Sequence, residues 1–240
     1  MTGVSRRTGI GHAVTRRLLD SGAQVVIHGW SAHDAYQSRV EPGGTEGIAQ
    51  ELGIAFVESD FAVAAAPAEA VAAAVDAVGP LDILVVSHAR SESGGVADLT
   101  AAGIDAHLHE NVRAPLLLVR EFAAQYDDAR GGGRVVLLTS GQHRGPMVGE
   151  VAYAASKGAL QQVTATLADE LADRGITVNA VNPGPTDTGW GLAERDPAGV
   201  MPAGRWGEPD DAARLIAWLC SEDARWITGQ TIDSEGGFRR

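Results

Sequence analysis

Short, wholly apolar runs alternate with longer amphipathic ones along this 240-residue chain. Residues 24–28, 54–58, 83–87, 134–139 and 177–181 read as strands. Leu84-Val85-Val86 and Val135-Val136-Leu137-Leu138 are apolar at every position, as parallel strands covered on both faces require. Helical spacing predicts helices over 13–20, 48–52, 67–78, 104–126 and 152–173. The alanine-rich stretch 62–77 belongs with the helices, because alanine is the strongest helix former. Residues 31–47, which include Pro42-Gly43-Gly44, break the alternation and are expected to form an irregular surface excursion. Strand and helix taking turns predict an α/β fold, a doubly wound parallel sheet between two helical layers. The length fits one domain over 1–240, and no internal repeat is present.

Charge and cysteine usage narrow the function. A net charge of −12 and no basic run beyond pairs such as Arg16-Arg17 argue against nucleic acid or an anionic membrane as partner. The single cysteine, Cys220, excludes an internal disulfide and fits a reducing compartment. No apolar run is long enough to span a bilayer and no secretory leader is recognisable, so the expected location is cytoplasmic. Small molecules and other protein chains are the expected partners, and no metal is expected.

The candidate chemistry starts from one residue. Lys157 is the only lysine, beside eighteen arginines, and stands four positions after Tyr153 in Tyr153-Ala154-Ala155-Ser156-Lys157. That spacing puts the two side chains one helical turn apart. Arginine can supply positive charge at most surface positions. A compact ammonium that acts on a neighbouring phenol and a ribose hydroxyl is a lysine's task. Near the start, Gly3-Val4-Ser5-Arg6-Arg7-Thr8-Gly9-Ile10-Gly11 precedes a helix, where glycines let backbone N–H groups approach a pyrophosphate. Ser140 ends a strand ahead of Tyr153, Asn111 lies in an earlier helix, and Asn182-Pro183-Gly184 follows the next strand.

In the order and spacing of these pieces, together with Asp60, Thr188 and Ile227-Thr228-Gly229-Gln230, the chain resembles the classical short-chain dehydrogenase/reductases, of ketoreductase type, along essentially its whole length. The resemblance implies a Rossmann fold and an NAD(P)-dependent oxidoreductase that interconverts a ketone and a secondary alcohol. It implies Tyr153 as proton donor or acceptor, Lys157 as ribose ligand that lowers the phenol's pKa, Ser140 on the substrate oxygen and Asn111 in a proton relay. It also implies a cofactor site formed by Gly3, Ser5, Arg6, Arg7, Gly9, Ile10 and Gly11, by Trp30, Asp60, Phe61, Ser87, His88 and Ala89, by Tyr153 and Lys157, and by Pro183, Gly184, Thr186 and Thr188. Family members are commonly homotetramers, so a homo-oligomer, tetramer or dimer, is expected. Asp60 reads either as ligand of the adenine amine or as a helix N-cap, and Thr188 either as holder of the carboxamide or as a turn residue.

Three departures stand out. Five residues separate Gly3 from Gly9 where the family has three, a length similar to that of the divergent enoyl reductases, which place their lysine at the position held here by Leu160. Val86-Ser87-His88-Ala89 replaces the family's Asn-Asn-Ala-Gly; His88 reads either as a contact of the bound molecules or as a space-filling side chain bonded to backbone. The family's first strand is absent, since one residue precedes Thr2-Gly3. The expectation is that about five to eight residues, one strand's length, belong upstream.

The second strand ends in His28-Gly29-Trp30-Ser31, without the acid that binds the ribose 2′-hydroxyl of NAD, and Arg6 and Arg7 are the candidates for a 2′-phosphate; NADP(H) is therefore expected over NAD(H). Gln142, His143, Met147 and Trp190 are the candidate substrate contacts, with Trp190 between glycines either closing over a ligand or packing on a helix. The competing readings are a non-redox enzyme of the same fold, performing elimination or epoxide chemistry, and a non-catalytic dinucleotide sensor.

Overall fold

The computed structural model describes residues 1–36, 41–189, 192 and 195–240. In chain order the elements are α1 (Ile10–Asp20), β1 (Val26–Gly29), α2 (Ser31–Tyr36), α3 (Gly44–Leu52), β2 (Ala55–Glu58), α4 (Ala66–Val78), β3 (Ile83–Val86), α5 (Ala101–Leu108), α6 (Ala114–Gln125), β4 (Gly133–Leu138), α7 (Val151–Ala172), β5 (Ile176–Asn182), α8 (Pro209–Leu219) and β6 (Thr231–Asp233). Every strand pair is parallel, with β1 on β2 in one group and β3-β4-β5-β6 in the other. The fold is the expected Rossmann type, and β3 and residues 135–138 of β4 are apolar because helices cover both faces.

Two cores flank the sheet. On one face Phe122, Leu118 and Leu160 from α6 and α7 pack on Leu84, Val86, Val135 and Leu137. On the other Val14 and Leu18 of α1, Ile48 of α3 and Ile216 and Leu219 of α8 pack on Val85, Val136 and Val181. The strands' two-residue period divides their side chains between these cores.

The structure corrects two expectations. Residues 31–47 are not wholly irregular, because α2 and the start of α3 lie there. The helix expected over 104–126 starts at Ala101 and is interrupted by a wider π turn over His109–Arg113, which carries Asn111. Such single-turn widenings re-aim side chains and recur at functional positions.

Between β1 and β3 the first residues form a short bridge. Thr2 bridges β1 at His28, its N–H donates to the Val85 carbonyl at 3.0 Å, and the His28 N–H donates to the Met1 carbonyl at 2.8 Å. The Met1 amine donates to the Val26 carbonyl at 2.9 Å. These few bonds join the two strand groups at their upper ends. Below them the edges of β1 and β3 face each other across a cavity of about 90 Å³, lined mainly by Val25, Ile27, Val71, Leu84 and Leu118.

Candidate active site

Above the carboxyl ends of the strands runs a cleft of about 1160 Å³, the position in which doubly wound sheets bind ligands. Its floor at one end is Gly3, Ser5, Gly9, Ile10 and Gly11. The start of α1 has Gly9 as N-cap with no side-chain cap and no acid in the first turn, so its free N–H groups face the cleft. Close packing fixes glycine at two positions. A Cβ on Gly3, whose φ is 74°, would stand 2.6 Å from the His88 backbone nitrogen, and one on Gly11 would stand 2.4 Å from the Gly3 carbonyl oxygen.

The other end is built on α7. Tyr153 and Lys157 lie on the same helix and line the cleft with Ser140. Burial pushes the Tyr153 phenol up to about 12, a hydrogen bond with the Ser140 side chain opposes this, and the charge of Glu150 adds to it. Lys157 is 2 % exposed, donates to the Leu138 carbonyl at 2.9 Å, and is brought down to about 8 by burial. Its ammonium nitrogen is 5.8 Å from the centre of the Tyr153 ring. The lysine side chain is anchored to β4, and burial is the largest influence on both groups. Asn111 lies behind the cleft. Its Nδ2 donates to the Arg90 carbonyl at 2.8 Å and to Ser156 Oγ at 2.9 Å, while its Oδ1 accepts from the Arg90 N–H at 2.7 Å.

A family profile described as enoyl-(acyl carrier protein) reductase matches residues 3–239. An uncharacterized oxidoreductase of Bacillus subtilis is 40% identical over 247 residues, covering 100% of this chain and 96% of its own length. The human dehydrogenase/reductase SDR family member 4 is 36% identical over 237 residues, with 95% and 83% covered. The chain belongs to the short-chain dehydrogenase/reductase family. Among solved structures of this family, a Burkholderia cenocepacia short-chain dehydrogenase in complex with NADP superposes with a TM-score of 0.84 at 37% identity, covering 98% of this chain and 95% of that one. A blue fluorescent protein from a metagenomic library, in complex with NADPH, superposes at 0.87 with 33% identity, covering 100% and 96%. The protein is therefore an oxidoreductase of the short-chain type, and the glycine cradle at the start of α1 fits a dinucleotide of the kind those two structures hold.

Within this short-chain dehydrogenase/reductase the remaining expected residues divide. Arg6, Trp30, Phe61, Ser87, His88 and Ala89 line the cleft on the side of β1 and β3. Pro183, Gly184, Thr186, Thr188 and Met147 line it on the side of β5. His88 also fills space: its Nε2 meets the Glu110 carbonyl at 3.0 Å and its Nδ1 meets Thr2 Oγ1 at 2.8 Å. A carbonyl only accepts, so Nε2 carries the proton and the Thr2 hydroxyl donates to Nδ1. Burial holds this ring's pKa well below the ordinary value, which keeps it neutral.

Four expected residues point elsewhere, and one lies outside the described residues. Arg7 is drawn off the cleft by Glu41 and Glu51, each 2.8 Å from its guanidinium. Asp60 caps the following turn, accepting from the Ala62 N–H at 2.8 Å, and is not part of the cleft wall. Gln142 donates to Gln161 of α7 at 3.0 Å, and His143 pairs with Asp233 of β6 at 3.0 Å; neither lines the cleft. For Arg7, Gln142 and His143 a polar partner on another element captured the side chain, whereas Asp60 is held by its own turn. Trp190 lies outside the described residues. Sequence reasoning missed Glu150, Glu235, Phe238 and Arg240, which line the cleft. Arg240 packs over Gly141 and Gly145 and is held by Glu235, which also accepts from Asn182 at 2.7 Å. Nothing local in the chain marks that tail for the site.

Proposed function

We propose that the protein interconverts a ketone and a secondary alcohol on a small organic substrate, with NADP(H) preferred over NAD(H) and Tyr153 as the proton donor or acceptor. The observation that carries this reading is the half-buried Tyr153–Ser140 pair, with Lys157 one turn along α7, facing the same cleft as the glycine cradle. When bound, the nicotinamide supplies or accepts the hydride. A carbonyl turning into an alkoxide needs a hydrogen-bond donor and a proton at hand, and Ser140 and Tyr153 offer both on one side of the cleft. A phenol near 12 is protonated at neutral pH, so it has a proton to give to a developing alkoxide. Lys157, near 8, is charged at neutral pH, which suits a ligand of the ribose hydroxyls. Asn111 acts from behind by fixing the Arg90 backbone and Ser156 next to Lys157.

The NADP(H) preference rests on the end of β1, where Gly29-Trp30-Ser31 offers no acid at the first ribose position, and on the NADPH and NADP found with similar proteins. Trp30 stacks with His33, their ring centres 6.0 Å apart, at the adenosine end of the cleft. A homo-oligomer in the cytoplasm completes the reading.

Calorimetric titration with NADPH and NADH, followed by a carbonyl panel, tests this function. Tyr153→Phe should abolish turnover with cofactor affinity nearly unchanged, and turnover retained by that variant would refute the assigned role. Absence of binding by either cofactor would refute the function itself.

A further inference from the structure

The long glycine loop has a structural consequence. Its extra residues carry Arg6 over the cleft, where Nη1 donates to the Thr188 carbonyl at 2.8 Å, 182 positions away. Thr8 Oγ1 and Arg6 Nη1 both lie near Gly189, 3.9 and 4.0 Å from where its Cβ would stand. The glycine loop and the loop after β5 are thereby tied to each other across the groove. Arg6 lines that groove together with Gly9, Ile10 and Gly11, whose N–H groups attract an anion from below. Asp34 and Glu41 act on its charge from the adenosine side and the Thr188 carbonyl holds it from the other. The guanidinium therefore stands over the middle of the cleft, between adenosine end and catalytic end. Its neighbour Arg7 is turned outward and neutralised by two acids.

We propose that Arg6 is a latch for the cofactor's diphosphate: its guanidinium bonds the phosphate oxygens and the Thr188 carbonyl together, closing the two loops over the bound dinucleotide and setting how fast it leaves. This rests on the dinucleotide-binding function given above, and assigns Arg6 to the diphosphate rather than to a 2′-phosphate. A planar fork of N–H groups can serve two acceptors on different sides, which a single ammonium cannot do in the same geometry. In a chain of net charge −12 the cation also offsets the repulsion a phosphorylated ligand meets.

The test is stopped-flow displacement of NADPH, and separately of NADH, from the unaltered protein and from Arg6→Met, Arg6→Lys and Arg7→Ala, each first shown to keep the parent's thermal transition. A charge-assisted contact of this kind corresponds to a ten- to hundredfold change, on the order of 1.5–3 kcal/mol. Arg6→Met should speed release of both cofactors by a similar factor of that order. Arg6→Lys should recover little of it, and Arg7→Ala should behave as the parent. Faster release of NADPH alone would overturn the proposal and make Arg6 a 2′-phosphate ligand. Unchanged release of both would also overturn it. Failure of the unaltered protein to bind either cofactor would refute the underlying function, a result that the other arms cannot produce.

Discussion

Replacing Lys157 with methionine should remove activity and stabilise the cofactor-free protein at neutral pH. The lysine is 2 % exposed, and its pKa falls from 10.5 to about 8 through burial. That drop of about 2.5 units corresponds to about 3 kcal/mol spent on keeping the ammonium charged in the fold. The sign follows from proton binding. Between pH 8 and 10.5 the unfolded chain holds a proton on this group that the folded chain has released, so the parent gains stability as pH rises across that window. Below pH 8 the whole cost is present. Methionine fills a similar volume without charge but leaves the Leu138 carbonyl without its donor, a loss of about 1–3 kcal/mol. At pH 7 Lys157→Met should therefore be more stable than the parent by about 1 kcal/mol. By pH 10.5 the parent should have regained its deficit and be the more stable of the two. Urea denaturation of both at pH 7, 8.5 and 10 measures it, and a difference that stays constant with pH would show that burial of a charged Lys157 is not what the site withstands.

Two further perturbations follow from the packing. Gly3→Ala places a methyl against the His88 backbone at a left-handed φ, so it should cost about 2–4 kcal/mol and weaken cofactor binding; a variant with parental melting would refute the close approach. Appending about six apolar residues ahead of Met1, in register to run between β1 and β3, should fill the 90 Å³ cavity. By cavity volume this adds about 2 kcal/mol, and several degrees of melting temperature. An unchanged melting temperature in differential scanning calorimetry would mean that the slot does not accept a strand.

The family profile that covers this chain is described as enoyl-(acyl carrier protein) reductase, and Tyr153 and Lys157 stand four positions apart. One turn of α7 separates the two side chains, which brings both to one wall of the cleft. A lysine moved to the position of Leu160 would fall in the hydrophobic core, where Leu160 is 1 % exposed.

The amino-acid sequence by itself determined what depends on local periodicity. Continuous apolar runs became β3 and β4, the Tyr153–Lys157 spacing set two groups on one helical face, and glycines ahead of α1 opened a helix N-terminus to the cleft. These are short-range consequences of backbone geometry, so a few neighbouring residues suffice to specify them. Tertiary structure decided which polar side chains actually reach the cleft. Arg7, Gln142 and His143 look as eligible as Arg6 and Met147 in the chain, yet Glu41, Gln161 and Asp233, brought near by distant elements, drew them away. The same long-range closure carried Glu235 and Arg240 to the Gly141–Gly145 turn and anchored Lys157 to the Leu138 carbonyl. A hydrogen bond between residues far apart in sequence leaves no periodic trace, and competition among several acceptors is settled only by which one the packed helices and strands hold within reach.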